Sequence, residues 1–427
     1  MTGPAKNESR LRKSGGPIQV ALMTALCCMV SPAHSKRHDP RVLLVSAPPP
    51  GSTTFAGSED GSAQHPFSTI QAAVDKASPG DTVLVQKGVY RNPGFGRSEA
   101  NGPVVMISKG GSPEAGPLTL KGEAGAVIEF DGSGGILAAP GVSYVSIKNF
   151  AIQGPAAGID ESLALKHRLD NPPLPMYNGQ GIAFPGPSRN IEISNNVVTN
   201  ACSSGIRVNQ GDYIKILGNQ VSNCTLWTST ASSALVIAEA TNVDDRDDVK
   251  IEVVANTVFG NRNHLAFYAP NGFPKGAKPP FPWYGTAEAT FIIDGSGVYL
   301  TRNSQFYKRG RYLLADNLAY ANGINGLVVH YTDRVSLRNN TIANNGTVPV
   351  SNHRQRNSGL AINHSQDLDI VDNRVQVNVP GDAAIRIFGQ IAGITASGNK
   401  YAGGRSDLKV GVTQVPPFWF GPPGPRR

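Results

Sequence analysis

Ile191-Glu192-Ile193-Ser194-Asn195-Asn196-Val197-Val198 is answered 23 residues later by Ile214-Lys215-Ile216-Leu217-Gly218-Asn219-Gln220-Val221. The phrase is apolar-x-apolar, two residues, Asn, one residue, apolar. It returns as Ile251-Glu252-Val253 before Asn256, Leu313 before Asn317 and Val335-Ser336-Leu337 before Asn340. Leu368-Asp369-Ile370 then precedes Asn373, and Ile394 precedes Asn399. The Asn spacings are 23, 37, 61, 23, 33 and 26. They fit a base period near 23 if insertions lengthen some turns and the spacing of 61 hides an extra turn. A second phrase runs in phase: Gly181-Ile182-Ala183-Phe184, Gly205-Ile206-Arg207-Val208, Ala234-Leu235-Val236-Ile237 and His264-Leu265-Ala266-Phe267. It continues as Gly297-Val298-Tyr299-Leu300, Gly326-Leu327-Val328-Val329, Gly359-Leu360-Ala361-Ile362 and Ala384-Ile385-Arg386-Ile387. Its second and fourth members are large and apolar, the period-two signature of a strand with one face inside. Two short strands per repeat with no helix between them describe an all-β, coiled parallel solenoid. Stacked amides at a tight bend explain the Asn column as a structural ladder, because Asn tolerates the turn and pairs with its neighbours. The aspartates before the strands, Asp212, Asp248, Asp333 and Asp367, read as turn residues.

Composition agrees. The 427 residues hold 48 Gly and 32 Pro with only 16% charged side chains, which excludes a coiled coil or an acidic disordered chain. Lys6, Arg10, Arg12 and Lys13 precede the apolar run Ile18 to Val30, and Ala33-His34-Ser35 has the form of a cleavage site. Residues 1–35 therefore read as a secretory signal peptide, and the protein as secreted or periplasmic. Without the leader, 35 basic residues face 30 acidic ones, or +5. That balance suits an acidic polysaccharide, and no basic run interleaved with aromatics points to nucleic acid. No membrane association after leader removal and a monomeric state are expected. Residues 36–63 read as a linker, 64–415 as the β-helix and 416–427 as a Pro-rich arm shielding the last coil. Thr69 to Ala77 forms an amphipathic capping helix ahead of the strand Thr82 to Val85.

The run His65-Pro66-Phe67-Ser68-Thr69-Ile70-Gln71-Ala72-Ala73-Val74-Asp75, with Ser78-Pro79-Gly80-Asp81-Thr82 and Lys87-Gly88-Val89-Tyr90, resembles the start of right-handed parallel β-helix proteins of the pectate-lyase-like superfamily. The stretch from Asp294-Gly295-Ser296-Gly297 through Asn317 to His330 resembles exported bacterial β-helix proteins near the pectate lyases. The resemblance covers about residues 64 to 400. It implies the fold directly, and a lyase, hydrolase, epimerase, esterase or binding protein as the activity. A lyase would bring an Asp cluster for Ca²⁺ and a Lys base. The set Asn-Thr-Asp, Asp-Asp, Gly-His-Gly of polygalacturonase-like hydrolases is not present, and the nearest match to the epimerase Asp-Pro-His, His38-Asp39-Pro40, precedes the fold.

The chemistry is expected on the outward side of the second phrase, between coils 205 and 330. Its third positions carry Arg207, Tyr299 and Arg386, its fifth Asn209, Tyr268, His330 and Asn363. Insertions at 155–180 and 269–293 flank it, the latter with Trp283 and Tyr284; long loops on a rigid scaffold are where function gathers. Asp294, His330, Arg207 and Tyr299 are the catalytic candidates, since β-elimination on a uronic acid needs its carboxylate neutralised and a base for the C5 proton. Asn209, Tyr268, Trp283, Tyr284, Arg311 and Asn363 are the substrate-binding candidates. Asp244, Asp245, Asp247 and Asp248 form a candidate Ca²⁺ site. Cys202 and Cys224, one position out of register in neighbouring coils, are a candidate disulfide. A lyase on a uronic-acid polysaccharide is the leading expectation, with a non-catalytic glycan-binding β-helix or a glycoside hydrolase as alternatives.

Overall fold

The computed structural model describes residues 39–48, 58–98, 100–269, 285–348, 357–379 and 381–418. Each coil contributes one strand to each of three parallel sheets, as in Ile206–Asn209, Gly211–Leu217 and Gln220–Ser222. Among the described residues the first sheet runs over eleven strands from Val42–Val45 to Ala392–Ser397. The second runs over ten, from Val105–Ile107 to Arg405–Ser406, and the third over eleven, from Gly88–Arg91 to Val412–Gln414. The chain is a right-handed parallel β-helix protein, as the resemblance implies.

The register follows the apolar phrases. Ile191, Ile214, Ile251, Tyr312, Val335, Leu368 and Ile394 pair in succession on the first sheet. All but Ile394 are buried in one continuous apolar core. The Asn column is a buried structural ladder: each Asn side-chain amide donates to the next rung's Oδ1 at 2.8 to 3.1 Å. Asn196 through Asn399 are at most 1% exposed, so this column presents nothing to a ligand.

Three expectations are corrected. The spacing of 61 is one coil and not two, because Val249–Val254 pairs directly with Arg311–Ala315 and Asn256 bonds Asn317. For the same reason Leu235 pairs with Val298, and His264-Leu265-Ala266-Phe267 lies outside the second sheet. The other phrases open on Gly or Ala because that position presses on the third sheet: a Cβ at Gly205 would lie 2.3 Å from Val221 and one at Gly326 2.3 Å from Ile342. Histidine has no place there. Finally, the linker 36–63 already holds a strand of the helix, Val42–Val45, paired with Thr82–Val85. The capping helix spans Ile70–Lys76; Thr69 caps it by accepting from the Ala72 amide, and Ile70, Ala73 and Val74 are buried. Residues 1–35 lie outside the described residues, and no described helix is long and apolar enough to cross a membrane. Of the C-terminal arm, 416–418 is described; the Phe418 amide donates to Gln376, and Arg374 stands over its ring.

Candidate functional site

The outward side of the second sheet carries two rows. Pairing aligns Arg207, Val236, Tyr299, Val328, Ala361 and Arg386 in one, and Asn209, Ala238, Thr301, His330, Asn363 and Phe388 in the other. Rungs stack about 4.8 Å apart, so these side chains form continuous tracks along the axis. A cleft of about 400 Å³ lies over them, with Arg207, Tyr299, Thr301, His330, Asn363 and Arg386 on its floor. One edge is a column of small polar groups: Ser233, Ser296, Asn325 and Ser358, with Asp294 beside them. The other edge carries Arg302.

Asp294 is 5% exposed and accepts from the Ser233 hydroxyl at 3.3 Å. Burial pushes its carboxyl up to about 7; the Ser233 bond and the positive charges of Arg207 and Arg302 oppose that shift. His330 moves the other way. Burial lowers it to about 4, and Arg302 and His364 add to the effect, so the imidazole is neutral at physiological pH. Its Nδ1 lies 2.9 Å from Thr301 Oγ1 and 3.3 Å from Tyr299 Oη, and the Tyr299 ring stacks on it with centroids 5.9 Å apart. The Arg207 Nε donates to Asn209 Oδ1 at 3.0 Å, holding the guanidinium in the row. Asp294, His330, Arg207 and Tyr299 therefore meet in or beside one cleft, with Asn209 and Asn363.

A second apolar cluster packs Ala156, Ala164 and Tyr177 of the first insertion against Cys202, Trp227 and Leu265 outside the main core. The first insertion and the described end of the second, residues 285–293, form the wall. Arg168 clamps one to the other by donating to the carbonyls of Ala266, Thr286, Ala287 and Ala289 at 2.9 to 3.3 Å. Phe267 and Ile293 bring this wall to the cleft. Tyr268 sits in the wall beyond the rows, not on them as expected, because its segment left the sheet. Trp283 and Tyr284 lie outside the described residues.

Other expectations change. Arg311 belongs to the first sheet and forms a twofold ion pair with Asp367 at 3.0 and 3.1 Å, away from the cleft. The acidic turn does not gather into a calcium cage, because three of the four expected ligands, all but Asp245, are spent on cations. Asp244 takes the buried Lys250 ammonium at 2.6 Å and accepts from Tyr213, Asp247 pairs with Arg309 and Asp248 with Arg246. Lys250 is also bonded to the buried Asp212 at 3.1 Å, which accepts from Tyr307 at 2.7 Å, so the turn is pinned from within. Asp244, with Lys250 and Tyr213 bonded to it, is held down at about 2. Among the described residues no three metal-binding side chains converge. Cys202 and Cys224 are both free thiols. Cys202 packs into the wall cluster and Cys224 into the main core, and burial raises both thiols, Cys224 to about 12.

The sequence reading missed Arg302, Arg168 and Ser233, as well as a second amide ladder, Asn261, Asn322 and Asn345. The signal for Arg302 was present: it directly follows a fifth-position residue, Thr301.

A family model described as "Protein of unknown function (DUF1565)" matches residues 54–266. No curated protein matches the chain. Among solved structures, a pectate lyase is similar over 88% of this chain and 74% of its own, at 13% identity and a TM-score of 0.44. The surface adhesin PfbA of Streptococcus pneumoniae is similar over 80% of this chain and 75% of its own, at 13% identity and a TM-score of 0.49. The A-module of a mannuronan C-5 epimerase of Azotobacter vinelandii is similar over 83% of this chain and 93% of its own, at 17% identity and a TM-score of 0.41.

Proposed function

We propose that this β-helix acts on a uronic-acid-containing polysaccharide in the cleft of its second sheet, cleaving it by β-elimination. One observation carries the reading: a single cleft holds a buried carboxyl raised to about 7 and an imidazole lowered to about 4. Groups pushed apart in this way mark acid and base assignments. Between those values Asp294 is protonated and His330 neutral, the reverse of their ordinary order.

In this reading protonated Asp294 donates to the uronate carboxylate while Arg207 supplies positive charge, which stabilises the carbanion formed at C5. The serving tautomer of His330 has Nδ1–H donating to Thr301 Oγ1, which leaves the Nε2 lone pair to take the C5 proton. The electron pair becomes the C4–C5 double bond and the C4–O bond breaks. The departing oxygen takes the Tyr299 hydroxyl proton, and His330 returns one to Tyr299 across their 3.3 Å contact. Among the described residues no lysine lines the cleft, and in this reading His330 serves as the base in its stead. No step needs calcium, which the acidic turn does not fit. The polymer, export by cleavage near Ser35 and a monomeric state belong to the same proposal.

A panel of pectate, alginate, glucuronan and bacterial exopolysaccharides tests it, read by the ultraviolet absorbance of the unsaturated product. New reducing ends without that absorbance mean hydrolysis. Binding with neither signal means a glycan-binding protein.

A further inference from the structure

The three turns of each coil share one backbone trait and differ in what occupies it. After first-sheet strands the left-handed position is filled by Asn149, Asn195, Gly218, Asp316, Asn339 and Asp372, with Ala255 the exception. After third-sheet strands it is filled by Asn200, Asn223, Gly260 and Asn344, with Ala321 the exception. Those are residues that the positive φ itself favours. After second-sheet strands the same position holds Gln210 (φ 50°), Glu239 (55°), Arg302 (55°), Tyr331 (44°) and His364 (48°), with glycines only at the ends, Gly186 and Gly389. Long polar and aromatic side chains gain nothing from that backbone. Their reason lies in what they reach, and Arg302 sets the column's middle at the rim of the cleft.

Beyond the rim lies a second cleft of about 790 Å³, on the edge between the second and first sheets. Gln210, Glu239 and Arg302 line it, and Arg302 lines both clefts, so they are neighbours with this side chain between them. Glu239 and Arg302 are held to each other at 2.9 Å. On its far sides stand Phe306, 46% exposed, and Arg189, exposed, with its guanidinium over the Tyr144 ring. An exposed aromatic face and a cation across a polar rim are the elements that recognise a charged sugar ring: one stacks on its C–H face, the other meets its carboxylate.

We infer that the polysaccharide crosses the rim over Arg302 and places further uronate units in this second cleft, stacked on Phe306 and facing Arg189. The inference rests on the proposed function and adds to it where the chain runs and how long a substrate the protein prefers. Neither Phe306 nor Arg189 belongs to the machinery around Asp294 and His330, so the two sites separate experimentally.

The test is calorimetric titration of the full-length protein with trimers and hexamers of galacturonate, mannuronate, guluronate and glucuronate. The wild type is expected to bind the hexamer of one series about tenfold or more tighter than its trimer. Phe306→Ala and Arg189→Gln should each lose about tenfold for the hexamer and leave the trimer within about twofold, with unchanged melting temperature confirming the fold. Equal affinity for both lengths in the wild type, or equal loss or no loss for both lengths in the variants, overturns the second site alone. A wild type that binds neither length of any series overturns the uronate reading, and the second site with it.

Discussion

The asparagine column and the outward rows of the second sheet are built on the same repeat, and opposite rules choose their residues. In the column every side chain satisfies the chain itself: Asn317 donates to Asn340 and to the Val253 carbonyl and accepts from Asn256. The residue type is uniform because the demand is uniform. In the rows no type holds from one rung to the next, and burial keeps His330 there, and Asp294 beside them, in their neutral states. A repeat protein thus separates what it needs to stand from what it uses, and irregularity within a regular frame marks the second.

The largest effect expected from breaking that comparison is at the ladder. Asn317→Ala leaves buried partners unbonded on both sides and should cost about 3 kcal/mol of stability, measured by denaturant unfolding. Activity per folded molecule should stay unchanged.

At the rows the pattern reverses. His330→Ala and Asp294→Asn should each lower the elimination rate at least about tenfold, or about 1.4 kcal/mol. Asp294→Asn should also raise stability in a pH-dependent way. The folded carboxyl titrates near 7, above its unfolded value, so wild-type stability is full at low pH and falls as pH rises toward 7. The Asn variant lacks that decline, and its advantage at pH 8 over pH 5 should be on the order of 3 kcal/mol. An advantage that does not grow with pH would show that Asp294 is not held protonated.

Smaller effects concern the cysteines and the acidic turn. Unfolding the mature protein without reductant should expose two reactive thiols, Cys202 and Cys224; none would restore the bridge. Asp245→Asn should change neither rate nor melting temperature, and a chelator should leave the rate alone. Loss of activity on chelation would return the acidic turn to the site.

The frame was legible in the sequence because ladders demand the same residue at the same height: the two phases, the Asn column, the inward apolar pairs and the capping helix all follow from stacking. The site was legible in part. Arg207, Tyr299 and His330 could be placed because their rungs keep the phrase, and Asp294 because it opens a turn into one. Tyr268 was misplaced because His264-Leu265-Ala266-Phe267 keeps the apolar alternation yet has no small residue where the third sheet presses, a packing demand that period alone does not express. Arg302 and Arg168 act across 63 or more residues of chain or through carbonyls, as when Arg302 meets Glu239 over the rim and Arg168 holds the wall. Arg311 had a nearer partner in Asp367 than any substrate, and the acidic turn had its own cations.

The assignment of the cleft rests on its inverted acid and base, and the pH dependence of product formation on the responding polymer tests that most directly. Activity is expected as a bell with limbs near 4 and 7, set by His330 and Asp294. His330→Gln should abolish the acid limb and Asp294→Asn the alkaline limb in whatever activity remains. Limbs that stay in place in both variants would contradict the assignment and put the chemistry elsewhere on the helix.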